Sequence, residues 1–265
     1  MNLIITTGKT NMIDIHNHIL FNIDDGPKNL ENMLMMLKQA KEQGVSGIVA
    51  TPHHLHRKFN NNYHEIQILV DKIKENKEYK EIGIDLYIGQ EIRVSDLIFK
   101  DIETKNILGI NNSRYLLIEL PTNEVPHYTR DLIYQLQIKG YIPIIAHPER
   151  NIIISKNIFA LYELIEAGAL SQVTSSSLNG DNGKKIQNRT IDLIERNLVH
   201  FIASDAHDTH KRPFLMKDLL NNKKLKKYKS KINELIANGN KVINDENILK
   251  KKPKMDKSIF DFIFK

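Results

Sequence analysis

The sequence contains no cysteine and no tryptophan in its 265 residues. The absence of cysteine excludes disulfides, thiolate metal sites, iron–sulfur clusters and a cysteine nucleophile. No uninterrupted apolar run approaches the roughly 20 residues that a transmembrane helix needs, so we expect no transmembrane segment. The first eleven residues also lack the long apolar stretch of a secretory signal. These absences together indicate a cytoplasmic protein.

Charge is unevenly distributed along the chain. Residues 1–210 carry 22 basic and 26 acidic side chains, whereas residues 211–265 carry 16 and 6. The densest basic run extends from Lys223 to Lys231. Such a run is usually the solvated face of a helix, and less often a contact for nucleic acid, anionic lipid or an acidic partner. Because its only aromatic residue is Tyr228 and it contains no arginine, we expect no nucleic-acid partner.

Short β-branched segments alternate with longer amphipathic segments between residues 12 and 220. The segment Leu30–Gln43 places its apolar residues on one helical stripe and stops at Gly44. Seven such alternations favour a parallel sheet that closes into a barrel. The predicted strands are Met12–Ile15, Ser46–Ala50, Ile84–Gly89, Tyr115–Ile118, Ile142–Ala146, Leu170–Thr174 and His200–Ala203, and the further predicted helices are Tyr128–Lys139, Ile158–Ala167 and Asp181–Asn197.

Histidine, aspartate or glutamate follows six of these seven strands, at the edge where parallel α/β folds build their active sites. A lone histidine at such a place is more often structural than a ligand. A closed barrel, however, brings all the strand ends to one rim, where unpaired imidazoles and carboxylates would be costly to bury. Bound cations remove that cost, so the pattern predicts a multinuclear metal site at this rim. Its candidate donors are the residues that follow the strands, namely His16, His18, His53, His54, Glu91, Glu119, His147, Glu149, Asp205 and His207, with one aspartate from the turn Asp24–Asp25–Gly26–Pro27.

The donor types constrain both the metal and the chemistry. Imidazole and carboxylate without thiolate suit Mn, Fe, Zn, Co or Mg. There are more donors than one four-coordinate zinc requires, so we expect two or three ions, an arrangement that activates water for hydrolysis. Arg150 and Arg212 lie near the predicted ligands and are candidates for a bidentate phosphate clamp. Together these features indicate hydrolysis of a phosphoester.

Residues 12–220 resemble the PHP (polymerase and histidinol phosphatase) family of metal-dependent phosphoesterases. Within it they are similar to the staphylococcal-type, bacterial protein-tyrosine phosphatase branch encoded with capsular or exopolysaccharide synthesis systems. The matching segments are MIDIHNHIL (12–20), IDDGP (23–27), TPHH (51–54), GQEI (89–92), SRYLLIEL (113–120), IIAHPER (144–150) and SDAH (204–207). The resemblance implies a distorted seven-stranded TIM-like (β/α)7 barrel of the PHP type, with Mn²⁺ as the first choice of metal.

The resemblance also implies a role for individual residues. One ion would be held by His16, His18, Glu91 and Asp205, a second by Glu91, Glu119 and His147, and a third by Asp25, His53 and His207. Arg150 and Arg212 match the phosphate-binding arginines of the family. His54 and His56 match no ligand position.

The function implied is that of a metal-dependent protein-tyrosine phosphatase. Its substrate would be the phosphotyrosine-bearing tail of a membrane-associated bacterial tyrosine kinase, which could recruit it to the inner face of the membrane. Two alternatives are a small-molecule phosphatase of the histidinol-phosphate type and a kinase-binding adaptor without activity. An amidohydrolase fits less well, because those sites typically need a bridging modified lysine where Glu91 or Glu119 stands here.

Three segments are predicted. Residues 1–11 precede the usual start of the family near Met12 and are interpreted as a leader or a cloning remnant. Residues 12–220 form the phosphoesterase barrel. Residues 221–265 are expected to form a basic C-terminal helix and tail that packs on the barrel, with the aromatic end Ile259–Phe264 folding back onto it.

Overall fold

The computed structural model describes residues 11–255 of the chain, and its strands are all paired in parallel. The strands are β1 (Ile13–Asn17), β2 (Gly47–Ala50), β3 (His53–His54), β4 (Asp85–Ile88), β5 (Glu91–Arg93), β6 (Tyr115–Glu119), β7 (Ile142–Ala146), β8 (Leu170–Thr174) and β9 (Phe201–Ala203). They form two sheets, with the orders β1-β2-β4 and β3-β5-β6-β7-β8-β9.

These nine strands occupy seven positions around a barrel. The strand β2 is followed after two residues by β3, and β4 by β5, so each pair acts as one interrupted strand. An isolated parallel bridge between Asn17 and Ala206 joins β1 to the end of β9, and the N–H of His18 donates to the carbonyl of Ala206 at 2.8 Å. The predicted α/β fold with a seven-stranded TIM-like arrangement is confirmed.

The two interruptions have a local cause. Pro52 has no N–H to donate to a ladder. At Gly89 an added Cβ would lie only 2.9 Å from Val49 Cγ1, so the close approach of the two strands requires glycine. Pairing resumes beyond the break, where the N–H of Glu91 donates to the carbonyl of Pro52 at 3.1 Å. As a result His53 and Glu91 become direct partners in register, which the sequence patterns do not predict.

Helices connect the strands and cover the outside of the barrel. In the first helix Asn29 caps the N-terminus by accepting from Asn32 N–H, and Met33, Leu37 and Ala40 are buried on one stripe. The α-helices are α1 (Leu30–Glu42), α2 (Tyr63–Glu75), α3 (Lys77–Ile82), α4 (Ile98–Glu103), α5 (Thr129–Ile138), α6 (Ile152–Lys156), α7 (Phe159–Glu166), α8 (Ser175–Asn179), α9 (Lys184–Glu195), α10 (Met216–Asn221) and α11 (Lys229–Ile243), with 3-10 turns at Ile110–Asn112, Pro148–Arg150 and Lys223–Tyr228. None of the helices within residues 11–255 has an apolar stretch long enough to cross a bilayer.

The apolar core has two layers. The larger one lies between the strands and the surrounding helices. The smaller one fills the barrel interior with alternate residues of several strands, among them Tyr115 and Leu117 of β6 and Phe201 and Ala203 of β9. Glu119 continues the inward alternation of β6 at its carboxyl end. Polar side chains therefore replace apolar ones in the barrel interior at the carboxyl ends of the strands.

The helix α11 covers the amino-terminal end of the barrel. Its Val242 belongs to the interior apolar cluster, and the Asn238 amide donates to the carbonyl of His200, just before β9 begins. The predicted leader lies almost entirely outside the described residues, as does the predicted packing of Ile259–Phe264. The boundary proposed near residue 220 stays a prediction.

Candidate active site

A cavity of about 310 Å³ opens at the carboxyl-terminal end of the barrel. Eight of the nine predicted metal ligands line it, and so do both predicted arginines; the eight are His18, Asp25, His53, Glu91, Glu119, His147, Asp205 and His207. The ninth, His16, lies beneath the cavity and is fully buried. The structure thus brings every sequence-predicted site residue to one end of the barrel.

Residues His16 and His18 reach the same side because β1 is irregular near its end. Its pairing with β2 shifts register between Asp14 and Asn17. The His16 Nδ1–H donates to Gln172 Oε1 at 2.7 Å, and the His18 Nδ1–H donates to Asp24 Oδ2 at 2.7 Å. Because these bonds fix the tautomer, each ring presents its Nε2 lone pair to the site.

The turn after His18 holds both aspartates in different roles. At Gly26 an added Cβ would lie 2.2 Å from the His18 carbonyl oxygen, so only glycine allows this approach. Asp24 is buried against His18, and it also accepts from Gly26 N–H at 2.9 Å. The side chain of Asp25 is 46% exposed and places Oδ1 3.3 Å from His207 Nε2. Asp24 therefore orients a histidine, and Asp25 faces the cavity.

Two site residues adopt left-handed backbone conformations. His147 follows β7 with φ 31°, and Asp205 follows β9 with φ 54°. Such conformations cost about 1–2 kcal/mol for a residue with a side chain, and strain of this kind concentrates at functional sites. The Asp205 N–H donates to the His16 carbonyl at 2.8 Å, which holds that turn against β1.

The donor atoms are spaced as ligands of shared ions would be. The Nε2 atoms of His16 and His18 lie 3.4 and 3.5 Å from Asp205 Oδ1. The two oxygens of Glu91 lie 3.4 Å from His16 Nε2 and 3.2 Å from His18 Nε2. Two donors bound about 2.1 Å from one ion at a tetrahedral angle are roughly 3.4 Å apart. The separations therefore fit divalent cations.

Seven buried donor atoms of the predicted ligands have no hydrogen-bond partner among residues 11–255. They are His16 Nε2, His18 Nε2, His53 Nδ1, Glu91 Oε2, Glu119 Oε2, Asp205 Oδ1 and His207 Nε2. Of these, Glu119 Oε2 also forms an ion pair with Arg93. Buried polar atoms are normally satisfied, so this concentration at one place needs an explanation. Coordination of metal ions by these residues would satisfy all of them at once.

The structure groups the donors in sets that partly match the predicted ligand sets. One group contains His18 with the predicted third set, Asp25, His53 and His207. The predicted second set is not found as one group. Instead, Glu119 lies with His53 and Glu91, and His147 lies with His16 and Asp205. The assignment of residues to particular ions stays a prediction.

Both arginines converge on one carboxylate oxygen. Arg150 Nη1 and Arg212 Nη2 donate to Asp205 Oδ2 at 2.5 and 2.7 Å. Arg150 also donates to Thr174 Oγ1 at 3.2 Å. Asp205 thus positions two guanidinium groups on one wall of the cavity with one oxygen, while its other oxygen faces the histidines. Two planar donors at that place fit the oxygens of a phosphate.

The electrostatics reflect the crowding of charged groups. Burial disfavours the imidazolium of His18, but Asp24, Asp205 and Glu91 outweigh it and raise its pKa well above the ordinary value. Burial raises the pKa of Glu119 to about 8, helped by the negative charge of Glu91 and opposed by Arg93. Raised and lowered pKa values in one cleft are typical of functional sites.

Sequence patterns do not single out Arg93 and Gln172, which support the site, and they do not predict that Asp24 orients a histidine. Arg93 pairs with Glu119 Oε2 at 2.8 Å, and Gln172 and Asp24 orient two histidines. A glutamine in the middle of the fully buried strand β8 is the signal that could have identified Gln172. His54 points elsewhere, with Nε2 2.9 Å from Asp101 Oδ2. His56 lines the cavity, and its ring stacks on His53 at 4.7 Å between centroids.

Comparisons with known proteins agree with this geometry. Residues 12–244 match the family model for capsular polysaccharide synthesis, CpsB/CapC. The chain is 51% identical over 245 residues to CapC of Staphylococcus aureus, covering 92% of this chain and 96% of that protein. It is 42% identical over 209 residues to the tyrosine-protein phosphatase YwqE of Bacillus subtilis, covering 79% and 82%.

The fold of this chain is also similar to that of a solved relative. That relative belongs to the crystal structures of YwqE from Bacillus subtilis and CpsB from Streptococcus pneumoniae, unique metal-dependent tyrosine phosphatases. The two folds match with a TM-score of 0.87 at 38% sequence identity. The match covers 92% of this chain and 100% of that chain. The chain therefore belongs to the CpsB/CapC family of capsular polysaccharide synthesis proteins.

Proposed function

We propose that this chain is a metal-dependent protein-tyrosine phosphatase of capsular polysaccharide synthesis. The observation that carries the proposal is the convergence of nine metal-binding side chains and two arginines at one cavity. Relatives named tyrosine-protein phosphatase support the same activity. An adaptor without activity would not need this complete set of donors.

The metal site is proposed to consist of His16, His18, Asp25, His53, Glu91, Glu119, His147, Asp205 and His207, with two or three Mn²⁺ ions. Ions bound there would lower the pKa of water and neutralise negative charge on phosphate oxygens. Fe, Zn, Co and Mg suit the same donors. Among the protein's own groups, Gln172 and Asp24 keep two imidazoles in the orientation that ligation requires.

The arginines are proposed to bind the phosphoryl group. Both guanidinium groups lie at the cavity wall and share Asp205 Oδ2, so their positions are fixed before a substrate arrives. Charge-assisted bonds from Arg150 and Arg212 to the non-reacting phosphate oxygens would strengthen as negative charge develops in the transition state. The leaving phenol has a pKa near 10, so its departure needs less assistance than that of an alkyl alcohol.

An aromatic wall favours a phosphotyrosyl group over a small aliphatic phosphate. The rings of His53, His56 and Phe59 are stacked nearly parallel, with His56 and Phe59 5.6 Å apart at 15°. His56 lines the cavity, and its face can contact the ring of phosphotyrosine. We further propose that the substrate is the phosphotyrosine-bearing tail of a membrane-associated bacterial tyrosine kinase and that the protein works in the cytoplasm.

The decisive experiment compares substrates after metal removal and reloading. The full chain is treated with chelator, its metal content is measured, and Mn²⁺ is added back. Turnover is then measured on a phosphotyrosyl peptide, the same peptide with phosphoserine, and histidinol phosphate. We expect activity on phosphotyrosine only after reloading, with no effect of thiol alkylators because the chain has no cysteine.

Two results would contradict the proposal. Full activity with metal content verified as zero would exclude metal-dependent hydrolysis. A preference for histidinol phosphate over the phosphotyrosyl peptide would instead support the small-molecule alternative. Replacing Mn²⁺ by Fe²⁺, Zn²⁺, Co²⁺ or Mg²⁺ in the same assay tests the choice of metal.

A further inference from the structure

The lysine-rich C-terminal segment lies at the end of the barrel opposite the cavity. Tyr228 and Lys227 contact Glu195, the last residue of α9, which precedes β9. Farther along the chain, Lys250 Nζ donates to the carbonyl of Gly168, just before β8 begins. The Lys254 N–H donates to the carbonyl of Arg196 at 2.8 Å. The segment begins beside α8, where the Asn222 amide donates to Asn179 Oδ1 at 2.8 Å, and from Lys227 onward these contacts lie at the amino-terminal ends of β8 and β9. The proposed metal-binding side chains follow the carboxyl-terminal ends of the strands.

Six exposed lysines at this end form no ion pair within residues 11–255, and we call them the basic face. They are Lys223, Lys224, Lys226, Lys229, Lys252 and Lys254. The neighbouring acids Glu195 and Glu234 are already paired with other lysines. The basic face therefore keeps a net positive charge that its surroundings do not neutralise.

One exposed apolar side chain lies on the same C-terminal segment as Lys252 and Lys254. Leu249 is 76% exposed, and it directly precedes Lys250 on the segment that crosses the amino-terminal end of the barrel. Its neighbour Ile248 packs against the barrel interior, so Leu249 projects from an anchored part of the chain. A cluster of lysines around an exposed apolar residue is the combination that binds the interface of an anionic membrane.

We propose that the basic face and Leu249 form a docking surface for an anionic phospholipid membrane. The strands of the barrel, which rise about 3.3 Å per residue, separate this surface from the cavity. Docking would therefore leave the cavity open toward the aqueous side. The lysines beyond Tyr228 therefore lie away from residues that directly flank a phosphotyrosine bound in the cavity of the same chain. This placement favours a lipid surface over direct help in substrate binding.

The proposal is tested by co-sedimentation of the full chain with lipid vesicles in 0.1 M salt. Vesicles of phosphatidylcholine alone are compared with vesicles that also contain phosphatidylglycerol. Because α11 covers the barrel end, point variants are used rather than truncation. The test variant carries Lys223→Gln, Lys224→Gln, Lys226→Gln and Lys229→Gln. The matched control carries the same charge change at the opposite end of the barrel, with Lys58→Gln, Lys156→Gln, Lys184→Gln and Lys185→Gln.

We expect binding only to the anionic vesicles. Each lysine near such a surface contributes about a fivefold change in partitioning, so the test variant should bind at least about a hundredfold more weakly. Binding of the control variant to anionic vesicles should change by no more than about threefold, since the substituted lysines lie far from the proposed surface. Leu249→Ser should weaken vesicle binding and leave binding to polyglutamate unchanged. Thermal melting checks that all variants are folded.

Three outcomes would overturn the proposal. Wild-type chain that stays in solution with anionic vesicles has no lipid-docking surface. Equal losses in the test and control variants would show that only the total charge matters. Binding to polyglutamate as tight as to vesicles, with no effect of Leu249→Ser on vesicle binding, would identify an acidic protein as the partner instead.

Discussion

Replacing Glu91 by glutamine distinguishes a shared metal cluster from separate metal sites. Glu91 is buried at the centre of the donors, and its two oxygens face different histidines. Oε1 lies 3.4 Å from His16 Nε2 and 2.8 Å from His147 Nε2. Oε2 lies 3.2 Å from His18 Nε2 and 3.0 Å from His53 Nδ1. A carboxylate in this position would be able to hold two ions. Glu91→Gln removes its charge and turns one oxygen into an amide nitrogen that cannot ligate.

The expected effect follows from the size of the protein. Unfolding entropy is about 2.1 cal/mol/K per residue, which gives about 0.56 kcal/mol/K for this chain. An ion whose dissociation constant rises a hundredfold loses about 2.7 kcal/mol of its stabilising effect, or about 5 °C in melting temperature. If Glu91 bridges two ions, the rise in melting temperature caused by metal should shrink by about 10 °C. If it binds only one, the decrease should be about 5 °C.

The assay is the melting temperature with Mn²⁺ minus that with chelator, measured together with metal content per chain. Glu119 is predicted to ligate one ion. In Glu119→Gln the rise in melting temperature caused by metal should therefore shrink by about half as much as in Glu91→Gln. Glu103→Gln is the matched control, because it removes the same charge from an exposed side chain far from the cavity. Loss of a single ion in Glu91→Gln, with the others still tightly bound, would refute the bridge.

Three further predictions concern other parts of the protein. Arg150→Ala and Arg212→Ala should each keep normal metal content but lose about a hundredfold in turnover, as expected for one lost transition-state contact; unchanged kcat/KM would exclude a clamp. His56→Ala should raise KM for a phosphotyrosyl peptide several-fold but not for an alkyl phosphate, and equal changes in both would argue against an aromatic platform. Burial and two nearby lysine charges lower the pKa of His200 to about 3, so folding should weaken as pH falls below about 6.5. Between pH 7 and pH 5 the free energy of unfolding of the wild type, measured with urea, should therefore fall by about 2 kcal/mol more than that of His200→Asn. Equal decreases in the two proteins would contradict this.

The sequence predicts the barrel well because its strands and helices obey regular periodicities. All seven predicted strands overlap observed ones to within two residues at each end, for example Tyr115–Ile118 against Tyr115–Glu119. The donors could be predicted for the same reason, since each follows a strand and all strand ends meet at one rim. The breaks that create β3 and β5 are different, because they depend on the close approach of Gly89 to Val49 across the sheet.

Details that depend on contacts between distant segments could not be predicted. Nothing local in the sequence places Gln172 against His16, 156 residues away. The left-handed conformation of His147 arises at the junction of a strand with a 3-10 turn, and only a few per cent of residues other than glycine have a positive φ. Likewise, the composition of the basic segment does not reveal that it lies across the amino-terminal end of the barrel. These features require the folded chain.

Asp205 connects the two arginines at the cavity wall with the histidines that are proposed to bind metal. Its Oδ2 accepts from Arg150 and Arg212, while its Oδ1 lies within 3.5 Å of the Nε2 atoms of His16 and His18. Burial disfavours its charged form, but the arginine and histidine charges prevail and hold its pKa well below the ordinary value. The carboxylate therefore stays ionised and keeps both sets of groups in fixed positions. The left-handed turn at Asp205 is held in place by the hydrogen bond from the Asp205 N–H to the His16 carbonyl. The distance between the arginines and the proposed metal ligands is therefore set by the barrel and not by the substrate.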